Sequence, residues 1–270
     1  MPKIIATGTL KGGTGKTSFT YNIAGILALT KKVLLIDGDP QFNLTTDLGI
    51  DVTEKNLKTI KDIFENKARA EEVIYKTPIS KLPNLDAIPS SIELTATELK
   101  LVNLAGREQK LRNFFEDNAE VLAEYEIILM DTNPNVGMIN QNIFLAADSI
   151  ILVSDIDANS IRGAEFFIAL WDDVRRDLRK EDNIAALVLN NADNRSSLPD
   201  MLFEYCQDDD ELKRFLIKTV IPNNIQIKNA KLKNQPLSIL QTSSKEKASK
   251  EKVLSAYQQA LAELTERGIF

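Results

Sequence analysis

The chain of 270 residues has no histidine, one cysteine (Cys206) and one tryptophan (Trp171). It also has no apolar run approaching the roughly 18 residues that a membrane-spanning helix needs. Each scarcity excludes something. Without histidine there is no imidazole general base and no imidazole metal ligand. A single cysteine excludes a disulfide framework, and any metal site that needs several thiolates from one chain. A signal peptide is not expected, because a glycine-rich motif begins ten residues from Met1. What is abundant is ordinary: 27 % charged and 43 % apolar residues suit a soluble globular protein. The length allows one large α/β domain over residues 1–270 with a substantial core.

The most informative stretch is Lys11-Gly12-Gly13-Thr14-Gly15-Lys16-Thr17. The apolar run Ile4-Ile5-Ala6 before it reads as a buried strand. Ser18 to Leu29 after it reads as an amphipathic helix burying Phe19, Ile23, Ile26 and Leu27. Strand, glycine-rich turn and helix start are the setting of a phosphate-binding loop. Glycines let backbone N–H groups point at phosphate oxygens without Cβ clashes, and the helix N-terminus adds partial positive charge. In such a loop Lys16 reaches the β- and γ-phosphates of ATP, and the Thr17 hydroxyl binds Mg²⁺. A glycine five residues before the Gly-Lys pair is usual. Here that position is Leu10, and an extra lysine, Lys11, follows it.

Two further carboxylate-ended strands follow. Val33-Leu34-Leu35-Ile36 reads as a strand buried on both faces, running into Asp37-Gly38-Asp39-Pro40-Gln41. Ile127-Ile128-Leu129-Met130 ends in Asp131, as does a strand that holds Mg²⁺ through water opposite Thr17. Leu85–Ile88, Ile150–Val153 and 185–191 read as additional strands. Helices are expected within 42–82, over Ile92–Leu104, over Gln109–Tyr125 and over Ile161–Leu178, where Trp171 reads as core. Strands alternating with helices predict an α/β fold: a mostly parallel, twisted sheet flanked by helices on both faces.

The loop with its extra lysine resembles the deviant Walker A motif of the ParA/MinD family of P-loop ATPases. The resemblance extends to Asp37–Gln41 (D-x-D-P-Q), to Asp131–Gly137 (D-T-P-P-s-x-G, with Asn133 for the first proline) and to Thr219–Ile225 (t-v-I-P-r-N, with Asn223 for arginine). It runs from residue 3 to about residue 265, and is nearest the short ParA/Soj type, with no room before Lys3 for an extra DNA-reading domain. What it implies is specific. Residues 11–18 (Lys11, Gly12, Gly13, Thr14, Gly15, Lys16, Thr17 and Ser18) would bind ATP. Lys11 would reach across a homodimer interface to the other subunit's phosphates. Asp39 would orient the attacking water, and Asp37 would lie near the metal's water shell. Asn190 would read the adenine edge, with Pro222 and Asn223 lying over the base. The family's partition members bind nonspecific duplex DNA as ATP dimers and are stimulated by a ParB-like centromere-binding partner. They act in the cytoplasm, on the nucleoid, without membrane. A membrane-cycling MinD-like ATPase is the main alternative, but such chains end in a basic amphipathic helix, which 261–270 is not. A carboxylate-phosphorylating ligase is a second, against which Lys11 argues. An iron–sulfur reductase is excluded by the cysteine count.

Charge is unevenly distributed. Residues 213–252 carry ten basic and two acidic residues, a local +8 in a chain of −6, which leaves −14 for the rest. Such segregation suggests a polyanion partner. Few aromatics interleave there, so phosphate contact with duplex fits better than base stacking on single strands. Lys228, Lys231 and Lys233 are the leading expected DNA contacts, because they follow the segment expected over the adenine. Lys245, Lys247, Lys250 and Lys252 are supporting charges on a helix face.

Overall fold

The computed structural model describes every residue except Asn194. Six strands form one sheet: β1 (Lys3–Gly8), β2 (Val33–Asp37), β3 (Leu85–Ile88), β4 (Ile127–Asp131), β5 (Ser149–Asp155) and β6 (Ile184–Asn190). Their order is β3-β2-β4-β1-β5-β6, and every pairing is parallel. The helices, in chain order, are α1 (Lys16–Leu27), α2 (Asn43–Asp47), α3 (Ile60–Phe64), α4 (Ala70–Val73), α5 (Leu94–Leu101), α6 (Lys110–Asp117), α7 (Ala119–Leu122), α8 (Met138–Ala146), α9 (Ala158–Asp177), α10 (Leu198–Asp208), α11 (Leu212–Phe215), α12 (Ile225–Leu232) and α13 (Ser244–Glu266).

Strand side chains alternate between the two faces, so the sheet divides the apolar residues into two cores. On one face Leu34, Ile36, Ile128 and Met130 pack with α5, α6, α8 and α9. On the other, Leu35, Leu129, Ile151 and Val153 pack with α1, α12 and α13. Trp171 is fully buried in the first core, edge-on to Phe144, with its indole N–H donating to Asn183 Oδ1 at 2.9 Å. In the second core α13 lies over α1, with Tyr257 against Phe19 and Leu264 buried beneath. Ile269 and Phe270, just beyond α13, are buried as well. No helix among the described residues is long and apolar enough to cross a membrane.

The expected helix over Gln109–Tyr125 is broken. A 3₁₀ turn over Arg107–Gln109 leads into α6, which stops at Asn118, and α7 follows. Asn118 Nδ2 donates back to the Phe114 carbonyl at 2.8 Å, while its Oδ1 accepts from Ala70 N at 3.0 Å. A short amide side chain that bonds local backbone competes with the helix ladder, and here it also ties α4 to the break.

For the site, what matters is strand register. Asp37 stands directly beside Asp131 at the C-terminal ends of β2 and β4. The loop after β1 opens at the same edge, where an open parallel sheet collects its ligands.

Candidate active site

The loop after β1 needs glycine at two points. Gly13 (φ +83°) and Gly15 (φ +80°) are left-handed, a conformation a Cβ makes costly. At Gly15 a Cβ would also lie 2.3 Å from Asn190 Nδ2. α1 begins at Lys16 with no side-chain cap, so its first amides stay open at the loop.

Asp131 organises the floor. Lys16 Nζ lies 2.6 Å from Asp131 Oδ1 and also donates to the Thr132 carbonyl. Thr17 Oγ1 donates to Asp131 Oδ2 at 2.6 Å. Thr7 and Thr20 hydroxyls approach the Oδ1 side at 3.3 and 3.4 Å. Lys16 is 6 % exposed and Asp131 is fully buried, so each is compensated by the other, with these hydroxyls on Asp131 and the Thr132 carbonyl on Lys16 in place of water.

Asp37 faces inward. Its Oδ2 accepts from Thr45 N and Thr45 Oγ1, each at 2.8 Å, and its Oδ1 from Asp39 N at 3.0 Å. Burial, with the neighbouring Asp131 charge, pushes its carboxyl up to about 7 against those hydrogen bonds. The structure therefore places Asp37 as a brace between β2 and α2, not on the cavity wall. Asp39 does line the cavity. Its Oδ1 accepts from Gln41 N at 2.8 Å, and burial raises its carboxyl above the ordinary carboxylate range. Phe42, three residues on, is held at φ +45°, a strained setting for an aromatic residue.

Lys11 is drawn aside. Its Nζ lies 2.6 Å from Asp157 Oδ2, and Asp157 also caps α9 through Asn159 N, Ser160 N and Ser160 Oγ. Burial works against the Asp157 charge, but Lys11 and Ser160 outweigh it and hold the carboxyl down at about 2.

These groups surround a cavity of about 460 Å³ lined by Thr9, Lys11–Ser18, Asp39, Gln41, Asn43, Pro134 and Lys231. The sequence motifs place residues 11–18 and Asp39 there. They assign no role to Gln41, the last residue of the D-x-D-P-Q segment, or to Asn43, two residues beyond it. Nor do they reveal Asp157. Its only sequence signal is an acidic residue before a helix, which reads as a cap. The three residues expected at the adenine are not among those that line the cavity. Asn190 Nδ2 donates to the Thr14 carbonyl at 2.7 Å, so in this structure its amide braces the loop from beneath. Pro222 bridges to Ala192, Asn223 N donates to the Ala192 carbonyl at 2.9 Å, and neither is among the lining residues.

The switch segment is pinned by side chains. Asn140 Nδ2 lies 2.9 Å from the Asn133 carbonyl and 2.7 Å from the Asn135 carbonyl, holding the backbone on both sides of Pro134. Asn133, which lacks the φ restraint of a proline, gains restraint from this amide instead.

The fit to a nucleotide rests on donors. Thr14 Oγ1 is buried at the loop without a partner, and the left-handed glycines of the loop let its amides turn toward phosphate oxygens. Thr17 and Asp131 are the pair that would share a magnesium ion. No group of three or more His, Cys, Asp or Glu among the described residues is arranged to hold a metal. The remaining ligands would be phosphate oxygens and water.

The expected DNA lysines belong to α12, the residue just after it and the first half of α13, two helices in contact. Asn224 at the head of α12 meets Ser249 of α13, with Nδ2 to the Ser249 carbonyl at 3.2 Å. Lys228, Lys233, Lys245, Lys247 and Lys252 are exposed. Lys233 Nζ donates to the Gln241 carbonyl at 3.0 Å and half-buried Lys250 to the Leu240 carbonyl at 2.8 Å. Lys231 is the exception: it turns into the cavity and pairs with Asp47 at 3.0 Å.

Comparisons with known proteins agree with this geometry. A family model described as an AAA domain matches residues 2–184. The chain is 31 % identical over 242 residues to the sporulation initiation inhibitor protein Soj of Bacillus subtilis, spanning 88 % of this chain and 90 % of that one. It is 33 % identical over 236 residues to the cell division protein PomZ of Myxococcus xanthus, spanning 87 % and 71 %. Among solved structures, an ATP complex of McdA from Cyanothece superposes with a TM-score of 0.79 at 17 % identity, over 98 % of this chain and 96 % of that one.

Proposed function

This chain belongs to the ParA/Soj-type ATPases, and from that premise we propose that it is a partition ATPase whose ATP-bound homodimer holds nonspecific duplex DNA. As a positioning ATPase it hydrolyses ATP to ADP and phosphate, and the whole chain works as one unit. The observation that carries the reading is the buried Lys16–Asp131–Thr17 cluster beneath an open glycine-rich loop. Lys16 takes the β- and γ-phosphates once they compete it away from Asp131. Thr17 and Asp131 would hold Mg²⁺, whose charge would offset that developing on the phosphates. Asp39, with its raised carboxyl on the cavity wall, positions the attacking water.

Lys11 supports the dimer. Its side chain is 40 % exposed at the cavity rim and paired with Asp157, so it is accessible to a second copy's phosphates. Dimerisation would double the exposed lysine surface on one body. That raises DNA affinity through effective concentration without new contact types. Hydrolysis is slow alone and is stimulated by a ParB-like centromere-binding partner. The protein then leaves DNA, and the cycle segregates plasmid or chromosomal DNA in the cytoplasm, on the nucleoid. The membrane alternative would need an apolar helix face free for lipid, whereas Val253, Tyr257, Ala260 and Leu264 of α13 are buried in the core.

Sedimentation with Mg-ATP, read beside turnover, tests the roles. Asp39→Ala should bind ATP and dimerise while losing about 10²–10⁴ of its turnover. Lys11→Ala should bind ATP and stay monomeric. A monomeric Asp39→Ala or a dimeric Lys11→Ala would refute the assignment.

A further inference from the structure

Three lysines line the cavity, and each is held by a different aspartate: Lys16 by Asp131, Lys11 by Asp157 and Lys231 by Asp47. The first two are accounted for by the phosphate-binding reading. We infer that Lys231 is a third nucleotide ligand, whose ammonium exchanges Asp47 for the phosphates of bound ATP, and that it is not a DNA contact. This rests on the nucleotide reading of the cavity and extends it.

Placement carries the argument. Lys231 comes from the last turn of α12, whose neighbours face outward: Leu232 is 83 % exposed, and Lys228 and Lys233 are both exposed. Lys231 alone of these turns inward, and its side chain is only 31 % exposed. The turn is fixed by a clamp just beyond the helix. Asn234 Nδ2 donates to the Thr46 carbonyl at 2.9 Å and the Asp47 carbonyl at 3.0 Å, binding the end of α12 to α2. α2 is itself tied to β2 through Thr45 and Asp37. The lysine is therefore carried on a frame continuous with the wall that bears Asp39, Gln41 and Asn43.

Charge gives the direction of exchange. Asp47 is 6 % exposed, and Lys231 Nζ, 3.0 Å from its Oδ2, is the cation beside it. A lysine–aspartate pair presents no net charge to the cavity. A polyphosphate entering the cavity presents several negative charges, and ammonium groups around it are stabilised by charge-assisted hydrogen bonds. A long flexible stem lets the ammonium leave one anion for another without moving α12. A DNA phosphate, by contrast, would have to reach a lysine that is partly buried and already paired.

The test is equilibrium titration of the full-length protein with a fluorescent ATP analogue and Mg²⁺. Lys231→Met should weaken binding about tenfold, the scale of one lost hydrogen bond to a charged group. Lys231→Arg should recover most of the loss. Asp47→Asn, which frees the lysine, should bind as tightly as wild type or more tightly. If the Lys231–Asp47 pair were only a clasp, Asp47→Asn would weaken binding as much as Lys231→Met, and that outcome overturns the inference. So does a Lys231→Met affinity within about twofold of wild type, well short of one lost charged hydrogen bond. Thermal unfolding of each variant verifies that the fold is kept. A wild type that fails to bind the analogue would remove the nucleotide reading and this inference together, whereas a silent Lys231→Met removes only the inference. On duplex DNA at saturating Mg-ATP, Lys231→Met should keep the wild-type slope of log K against log salt. A slope shallower by about one unit would return Lys231 to the DNA surface.

Discussion

Two groups of lysines in this protein obey different physics. Lys16 is 6 % exposed, pressed against a carboxylate that is itself fully buried, with hydroxyls filling the remaining positions. Lys247, on α13, is 71 % exposed and sits 3.8 Å from Glu251, itself 61 % exposed. The first pair is costly to break, because removing one member strands a buried charge. The second contributes at most a few tenths of a kcal/mol. The lesson concerns specificity. The buried lysine is fixed in one geometry and can recognise a particular phosphate. The surface lysines are replaceable charges whose effect is their sum.

The largest expected effect comes from breaking the buried side. Lys16→Ala should abolish ATP binding, and it should also destabilise the nucleotide-free protein by about 3–5 kcal/mol, because Asp131 keeps its burial and loses its cation. Urea denaturation without nucleotide reads the second effect. An Ala variant as stable as wild type would mean that Asp131 is held by its hydroxyls alone. A smaller effect should follow Gly15→Ala, which meets both a positive φ and Asn190 Nδ2 at 2.3 Å. The left-handed backbone costs roughly 1–2 kcal/mol in the folded state. The clash with Asn190 adds to it, so Asn190→Ala should relieve part of the loss. No relief in the double variant would show that backbone conformation is the whole cost. The smallest effect per residue belongs to the surface. Lys245→Glu or Lys252→Glu should leave stability within about 0.5 kcal/mol. Each should nevertheless reduce the salt slope of DNA binding by about 0.9 if it neutralises one phosphate. An unchanged slope in both would take the start of α13 out of the DNA surface.

The same contrast explains how far the sequence can be read. β2 and β4 are legible because each is a short apolar run ending in aspartate, and burial on both faces with a strand neighbour on either side leaves little freedom; β3, at the sheet edge and interrupted by Asp86, is marked instead by the turn signal Pro89-Ser90-Ser91 at its end. The phosphate loop is legible because only glycine meets its backbone demands. Asn190 is legible as a strand-end asparagine, but its hydrogen bond to the Thr14 carbonyl is not, since nothing near residue 190 announces a contact with residue 14. Lys231 is visible as a charge, yet its inward turn depends on Asn234 gripping α2, far away in sequence. Helix continuity over 109–125 fails for the same reason: Asn118 answers to Ala70. Motifs encode local backbone, whereas partners distant in the chain decide where a polar side chain points.

The all-parallel register has a consequence in time. Among the described residues β1 pairs only with β4 and β5, and its first partner, Lys3 with Ile127, is 124 residues later in the chain. A ribosome elongating at about 5–20 residues per second needs roughly 6–25 s to supply that partner. Through that interval the segment bearing Lys11–Ser18 has no neighbouring strand to fix the direction in which its loop opens. Synthesis therefore places nucleotide capture late: the first motif translated becomes competent only when the fourth strand of the sheet has arrived.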